Sequence, residues 1–303
     1  MVVSGLKIMA ALDGSSLDLH LTRQAAVWAD ALGKAELHFL HVREKPPVAK
    51  SLRRAHPEIF EEATGAEEEK LLSERLSERL AGRQYQFHFK EGKNFPEIMS
   101  AVAEFKIDLL LLGLKPASEG SGLVSHRLAN QSPCSLLLVP AALPAELSRI
   151  LVPTDFSRHA ELALDWAQAL GHYHKSEIQL LHFYHVPGGY LKNAGSRREL
   201  AGLIKKHSEQ EKNEAGPIHR KLSCQFREND GQAERATLAY ADENQYDLLV
   251  LGSKGRTAAA TLLLGSFAEK LFKLNRDKGL LIVKQPEENE GFFRALMQGM
   301  GLG

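Results

Sequence analysis

Residues 252 to 266, "GSKGRTAAATLLLGS", have the types and spacing that could hold a phosphate group. They follow the apolar run "YDLLVL", which is typical of a buried strand. Glycine lets a backbone approach an anion closely and adopt a positive φ, so Gly252 and Gly255 are expected to turn N–H groups toward one. Lys254 and Arg256 would add positive charge beside those groups.

The end of the same stretch predicts the start of a helix. Gly265 and Ser266 would open it, and a helix N-terminus offers free N–H groups and the positive end of a dipole. Ser266 is expected either to cap this helix or to donate its hydroxyl to a phosphate. Asp155, at the tip of an earlier strand, would accept from ribose or an adenine amino group, or help to hold a divalent cation.

The chain repeats a unit of about 140 residues. Its two tryptophans, Trp28 and Trp166, open similar phrases, "WADALG" and "WAQALG". Further matched pairs are Asp13 and Asp155, His41 and His182, Gly92 and Gly231, Asp108 and Asp247, and Gly113 and Gly252. We predict a first domain over 1–140, a linker over 141–148, a second domain over 149–284 and a tail over 285–303.

Within each copy, apolar strands alternate with amphipathic helices. The first copy predicts strands at 6–12, 36–43, 84–91, 108–114 and 135–139, with helices at 17–32, 57–81, 95–106 and 123–131. The second copy repeats this order, with Gly171 expected to end its first helix and with a long polar helix at 196–222 that breaks near Pro217. The predicted fold is α/β: two tandem, doubly wound, open parallel sheets of five strands with helices on both faces. Ligands bind such sheets beyond the carboxyl ends of the strands, where Asp155 and the 252–256 turn both lie.

In this setting the glycine string resembles the ATP-binding signature of the universal stress proteins in their tandem form, over roughly residues 4 to 284. The resemblance implies a role in stress survival, with ATP, with or without Mg²⁺, bound in the second copy and at most slow hydrolysis. The residues that it implies are Pro153, Thr154, Asp155, the Phe183 backbone, Gly252, Lys254, Gly255, Gly265, Ser266 and Phe267; Arg256 is added for its charge.

The first copy departs from this signature. Its turn reads "GLKPASEGSGLVS", so Pro116, which has no N–H, replaces Gly255, and Leu123 replaces Ser266 at the end of a shorter loop. Gly122 is expected to keep the helix start. We therefore predict one ATP site per chain.

Composition limits the other classes of function. The 38 basic residues balance 38 acidic ones, which does not favour a nucleic-acid partner, and the apolar runs are shorter than the roughly 18 residues of a membrane span. We expect no signal peptide, and the two cysteines suit a reducing, cytoplasmic setting. Neither a catalytic nucleophile with its base nor a dedicated metal site is expected, because G-x-S-x-G, H-E-x-x-H and metal-ligand cysteine spacings are missing.

Three hypotheses follow. The first is an ATP-dependent regulator, and its rival is a nucleotide-free scaffold or carrier of another, apolar molecule. The third is an ATP-hydrolysing enzyme, for which no base is identified. The two copies could pair within the chain as a pseudo-dimer, with or without further dimerisation. The tail is expected to pack on its own body or a twin chain through an apolar stripe of Phe292, Phe293, Leu296, Met297 and Met300.

Overall fold

A computed structural model of the chain describes residues 5–44, 65–115, 122–187, 194–256 and 264–285. The strands of the first half are β1 Lys7–Leu12, β2 Glu36–Arg43, β3 Gln86–Glu91, β4 Leu109–Leu114 and β5 Ser135–Pro140. Its described helices are α1 Leu17–Ala31, α2 Gly65–Leu80, α3 Asn94–Phe105 and α4 Leu123–Gln131. Residues 57–64 of the predicted second helix lie outside the described part.

The second half repeats this order. Its strands are β6 Arg149–Pro153, β7 Glu177–Tyr184, β8 Ser223–Glu228, β9 Leu248–Gly252 and β10 Gly279–Val283. Its described helices are α5 Arg158–His174, α6 Ala194–Glu214, α7 Pro217–Lys221, α8 Ala233–Glu243 and α9 Ser266–Leu274. The break predicted near Pro217 is thus confirmed.

The strands of both halves form a single sheet. Its order is β3-β2-β1-β4-β5-β10-β9-β6-β7-β8. The strands of each half are parallel, but β5 and β10 pair antiparallel, with Leu281 opposite Leu137. The two predicted five-stranded sheets are therefore joined edge to edge, and the pseudo-dimer pairing is satisfied within the chain. Because of this joint, the carboxyl ends of the two sets of strands lie at opposite edges of the sheet.

Two apolar layers hold the helices on the sheet. The central strands are buried on both faces, as the sequence SLLLVP of β5 requires of an inner strand. One layer includes Trp28 of α1 and Leu170 of α5, and the other includes Met99 of α3 and Leu271 of α9. Each layer contains residues of both halves, and α1 packs on α5 and α4 on α9 across the joint.

A buried lysine crosses the same joint. Lys284 directly follows β10 and is 4% exposed, yet its Nζ donates to the carbonyl oxygens of Ala129 (2.6 Å) and Ser132 (2.7 Å) at the end of α4. Burial lowers the pKa of Lys284 from 10.5 to about 8; the neighbouring Cys134 opposes this fall and Lys254 adds to it. The ammonium group thus joins the last strand of the second half to a helix of the first.

The sequence predicts that Gly171 ends helix α5, but the structure shows that it does not. Helix α5 continues to His174, and Lys175 ends it with a left-handed φ of 60°. A Cβ at Gly171 would lie 2.7 Å from Cδ1 of Ile178. The glycine is therefore needed for close packing of α5 on β7, and not as a cap.

The two tryptophans, which the sequence aligns, do not occupy equivalent positions in the two halves of the structure. The residue before β2 donates to the Ala29 carbonyl, and the residue before β7 donates to the Gly171 carbonyl, both at 3.0 Å. Ala29 therefore matches Gly171, and Trp28 matches Leu170, one helical turn from Trp166. Burial agrees, because Trp28 and Leu170 are fully buried while Trp166 is only partly so.

Candidate functional site

A cavity of about 640 Å³ opens at the carboxyl edge of β6, β7 and β9. Every residue predicted for the ATP site lines this cavity: Pro153, Thr154, Asp155, Phe183, Gly252, Lys254, Gly255, Arg256, Gly265, Ser266 and Phe267. Further lining residues were missed: Ala160, Leu181, Asn229, Ala233, Leu251, Ser253 and Ala268. Two of them had a signal, because Ser253 stands inside the glycine string and Asn229 directly follows a strand.

Asp155 joins the loop after β6 to the turn after β9. Its Oδ1 accepts the Ser157 N–H at 3.0 Å, and its Oδ2 accepts the Arg256 N–H at 2.8 Å. A carboxylate has about four lone-pair sites, so acceptor capacity remains. Asp155 therefore holds the cavity wall in shape while presenting further acceptor sites at its edge.

An aromatic cluster supports the same loop from the other face of the sheet. Phe156, which adopts a left-handed φ of 58°, stacks on His182 with ring centroids 4.7 Å apart. The His182 Nδ1 lies 2.8 Å from the Thr154 carbonyl oxygen, and burial lowers the pKa of His182. A neutral imidazole that donates from Nδ1 fits this contact.

The glycines act through close contact and not through positive φ. Gly252, Gly255 and Gly265 all lack the positive φ expected for such a turn. A Cβ at Gly252 would meet the His159 carbonyl oxygen at 2.5 Å, so this glycine lets the start of α5 approach β9. A Cβ at Gly255 would lie 3.0 Å from Oδ2 of Asp155, inside the cavity.

Helix α9 points its N-terminus at the cavity, as the sequence predicts. Gly265, in an extended conformation, holds the cap position, and its N–H donates to the Ser253 carbonyl at 2.6 Å. Ser266 is the first helical residue, so it does not cap the helix. Its exposed hydroxyl and the first N–H groups of the helix face the region where an anion would be favoured.

Positive charge gathers beside this helix end. Lys254 lines the cavity at 8% exposure, and Lys284 lies close enough for the two ammonium groups to repel. The Arg256 guanidinium, in contrast, donates to Oε1 of Glu211 on α6 at 2.8 Å. An anion in the cavity would therefore offset the repulsion between two lysines, while Arg256 has a partner on α6.

Comparisons with known proteins agree with this architecture. The family model of the universal stress proteins matches residues 6–140 and again 146–274. The chain belongs to the universal stress protein family. Universal stress protein MJ0577 of Methanocaldococcus jannaschii is 29% identical over 154 residues, which cover 45% of this chain and 94% of that protein.

Solved structures show the same tandem fold over nearly the whole chain. A structure from Pseudomonas aeruginosa assigned to the universal stress proteins has a TM-score of 0.69 at 14% identity, covering 97% of this chain and 98% of its own. A universal stress protein from Archaeoglobus fulgidus has a TM-score of 0.63 at 16% identity, covering 94% and 98%. The family and the tandem fold predicted from the sequence are confirmed.

The first half of this universal stress protein has different side chains at the positions that match this cavity. Lys115, which matches Lys254, forms an ion pair with Asp13. Gly122 holds the cap position of α4, as expected, and Leu123 takes the place of Ser266 with 66% of its surface exposed. Pro116 lies outside the described residues, so its effect on the turn stays a prediction.

Two kinds of feature are absent from the described part of the chain. Within it, no three or more His, Cys, Asp or Glu side chains gather in a way that could hold a metal ion. None of the helices described combines the length and apolarity that crossing a membrane requires.

Proposed function

We propose that the second half of this universal stress protein binds ATP, and that occupancy of the site sets the conformation or the partner choice of the chain, with at most slow hydrolysis. One observation supports this above the others. A single cavity combines apolar walls at one side with a helix N-terminus and a buried lysine at the other. Those are the surroundings that a base and a polyphosphate need together.

The apolar side suits a planar base. Leu181, Phe183 and Leu251 come from the ends of β7 and β9 and form this wall. Thr154 and Asp155 follow β6 beside it and offer oxygen acceptors. A nucleoside held here would place its sugar toward the turn after β9.

The polar side suits the phosphates. The N–H groups at the start of α9, the Ser266 hydroxyl and the Lys254 ammonium would share the negative charge. Ser253 also lines the cavity, and its buried hydroxyl lacks a hydrogen-bond partner among the described residues. Such an unsatisfied group is costly unless a ligand completes it.

Size and charge fit the same ligand. The cavity falls in the range of roughly 300–1,000 Å³ that is common for small-molecule sites. Asp155 supplies the carboxylate of the described lining, so it would be the protein ligand of any Mg²⁺ that accompanies the triphosphate. Binding, orientation and charge neutralisation are what these residues provide, and a base for hydrolysis is not identified among them.

The tandem repeat offers a matched pair of variants for the test. ATP binding to the purified full chain is measured by calorimetry for the wild type, Asp155→Ala and Asp13→Ala. Loss of the Asp155 carboxylate should weaken ATP binding by about 10- to 100-fold, the cost of losing hydrogen bonds to a charged group. Asp13→Ala should leave the affinity within about threefold. No binding by the wild type, or equal losses in both variants, would refute the assignment.

Mass spectrometry of the purified chain separates the regulator from its rivals. Co-purified adenine nucleotide supports the proposal, whereas an apolar molecule in an organic extract would favour the carrier, since Leu181, Phe183 and Leu251 give the cavity an apolar wall. ATP turnover is measured on the same sample. Turnover well above buffer background that disappears in Asp155→Asn would instead favour an enzyme.

A further inference from the structure

The carboxyl edges of the two sets of strands, called here the first and the second crevice, also differ at an equivalent position at the start of a helix. Asp13 and Asp155 each accept, through Oδ1, the N–H of the residue two places on, at 3.1 and 3.0 Å. The two loops therefore match residue for residue up to the helix start. Ala160, which lines the cavity of the second half, is matched in the first half by Asp18.

The Asp18 carboxylate is folded back onto the loop after β1. It is 5% exposed, and its two oxygens accept the N–H groups of Asp13 (3.2 Å) and Gly14 (2.9 Å). Burial raises the pKa of Asp18, while these N–H donors oppose the rise. The chain thus carries an internal anion that occupies backbone donors of the loop after β1, at the edge of the sheet that matches the cavity of the second half.

The ammonium group of Lys115, at the first crevice, also has a carboxylate partner within the chain. Lys115 forms its ion pair with Asp13, whereas the equivalent Asp155 accepts the backbone N–H of Arg256. Backbone donors and the lysine in the first half are therefore already matched by carboxylates of the chain. A phosphate entering there would meet the nearly buried carboxylate of Asp18, for which the second half has only Ala160.

We propose that Asp18 is a specificity-determining residue, whose carboxylate keeps nucleotide phosphates out of the first crevice, and that the small side chain of Ala160 leaves the second crevice open to them. This inference rests on the proposed function of the second half. Asp18 would be a second reason, beside Pro116, why the first half does not bind ATP. Both Asp18 and Ala160 are described residues. Like charges brought together in a cavity are a common way of rejecting the wrong ligand.

The deciding experiment moves the carboxylate to the other half. Calorimetry with ATP compares the wild type with Ala160→Asp and with Ala160→Asn. Asparagine has nearly the same size as aspartate but no charge. Ala160→Asp should weaken binding by about 100-fold or more, because it adds a negative charge to the cavity that would hold the triphosphate. Ala160→Asn should stay within about tenfold, and circular dichroism should confirm that both variants are folded. Equal affinities of the Asp and Asn variants would overturn the proposal.

The reciprocal variant opens the first half. Asp18→Ala should raise the stoichiometry from one ATP per chain to two, with the second site weaker. The double variant Asp18→Ala/Asp155→Ala should then keep one binding event in the first half. A folded Asp18→Ala chain that still binds one ATP overturns the proposal. If this variant fails to fold, the Ala160 pair decides alone.

These outcomes separate the present proposal from the one on which it rests. A wild-type chain that binds no ATP refutes the proposed function. A wild-type chain that binds two ATP molecules leaves nucleotide binding intact and overturns the role of Asp18 alone.

Discussion

The buried Lys284 predicts that the chain becomes more stable as the pH rises above 8. Its pKa in the folded chain is about 8, against an ordinary 10.5 for the unfolded chain. Between those values the unfolded chain binds more protons than the folded one, so the free energy of unfolding increases with pH. Below pH 8 both states are protonated and this contribution is constant.

The size of the effect follows from the same two values. Each pKa unit corresponds to about 1.4 kcal/mol, so the fall from 10.5 to about 8 amounts to about 3 kcal/mol when the titration is complete. The hydrogen bonds to the Ala129 and Ser132 carbonyls already offset part of the cost of burying the ammonium group. A rise of about 2 kcal/mol between pH 8 and pH 10 is therefore the expected order of magnitude.

Urea unfolding followed by circular dichroism, at steps from pH 7 to pH 10, measures this rise. Lys284→Met is the control, because it keeps most of the length of the side chain and removes the amine that titrates. Subtracting the variant from the wild type cancels the titration of tyrosines and cysteines that both chains contain. A difference that stays flat, or that falls as the pH rises, would show that Lys284 keeps its ordinary pKa when folded.

Two stability predictions compare residues of the two halves. Gly252→Ala should destabilise the chain by about 1–3 kcal/mol or more, because its Cβ would strike the backbone of α5, whereas Gly113→Ala meets only the end of a leucine side chain and should cost less. Equal losses of unfolding free energy would contradict this reading. Trp28→Ala should cost about 3–5 kcal/mol and Trp166→Ala clearly less, since only the former is fully buried. Chemical denaturation of both variants checks this, and equal losses of unfolding free energy would instead support the tryptophan alignment of the sequence.

Much of the architecture follows from local pattern. Apolar runs of five or six residues alternate with helices, so the parallel order within each half was predictable. The eleven predicted site residues line one cavity because loops after parallel strands must meet at one edge of the sheet. Ala160 was missed because alanine carries no chemical signal of its own, whereas Ser253 stands inside the glycine string and could have been included.

Other features depend on contacts between distant parts of the chain. The glycine string predicts positive φ at Gly252 and Gly255. Glycine is instead needed because α5 packs close to Gly252 and the Asp155 carboxylate lies close to Gly255. Neither contact can be predicted from the local sequence. The sequence similarly suggests a helix cap at Gly171, although glycine is required there because the neighbouring strand packs closely against it. The position of Lys284 depends on β10 meeting β5, which is decided by packing of the two halves.

The antiparallel seam between β5 and β10 also changes how association depends on concentration. Two separate domains that met through such a seam would come apart on dilution, because their association is bimolecular. Here both partners are covalently linked, so the seam forms at an effective concentration set by the short connecting segment and not by the amount of protein in the cell. The ten-stranded assembly should therefore persist at nanomolar levels, where a loosely paired single-domain relative would be monomeric.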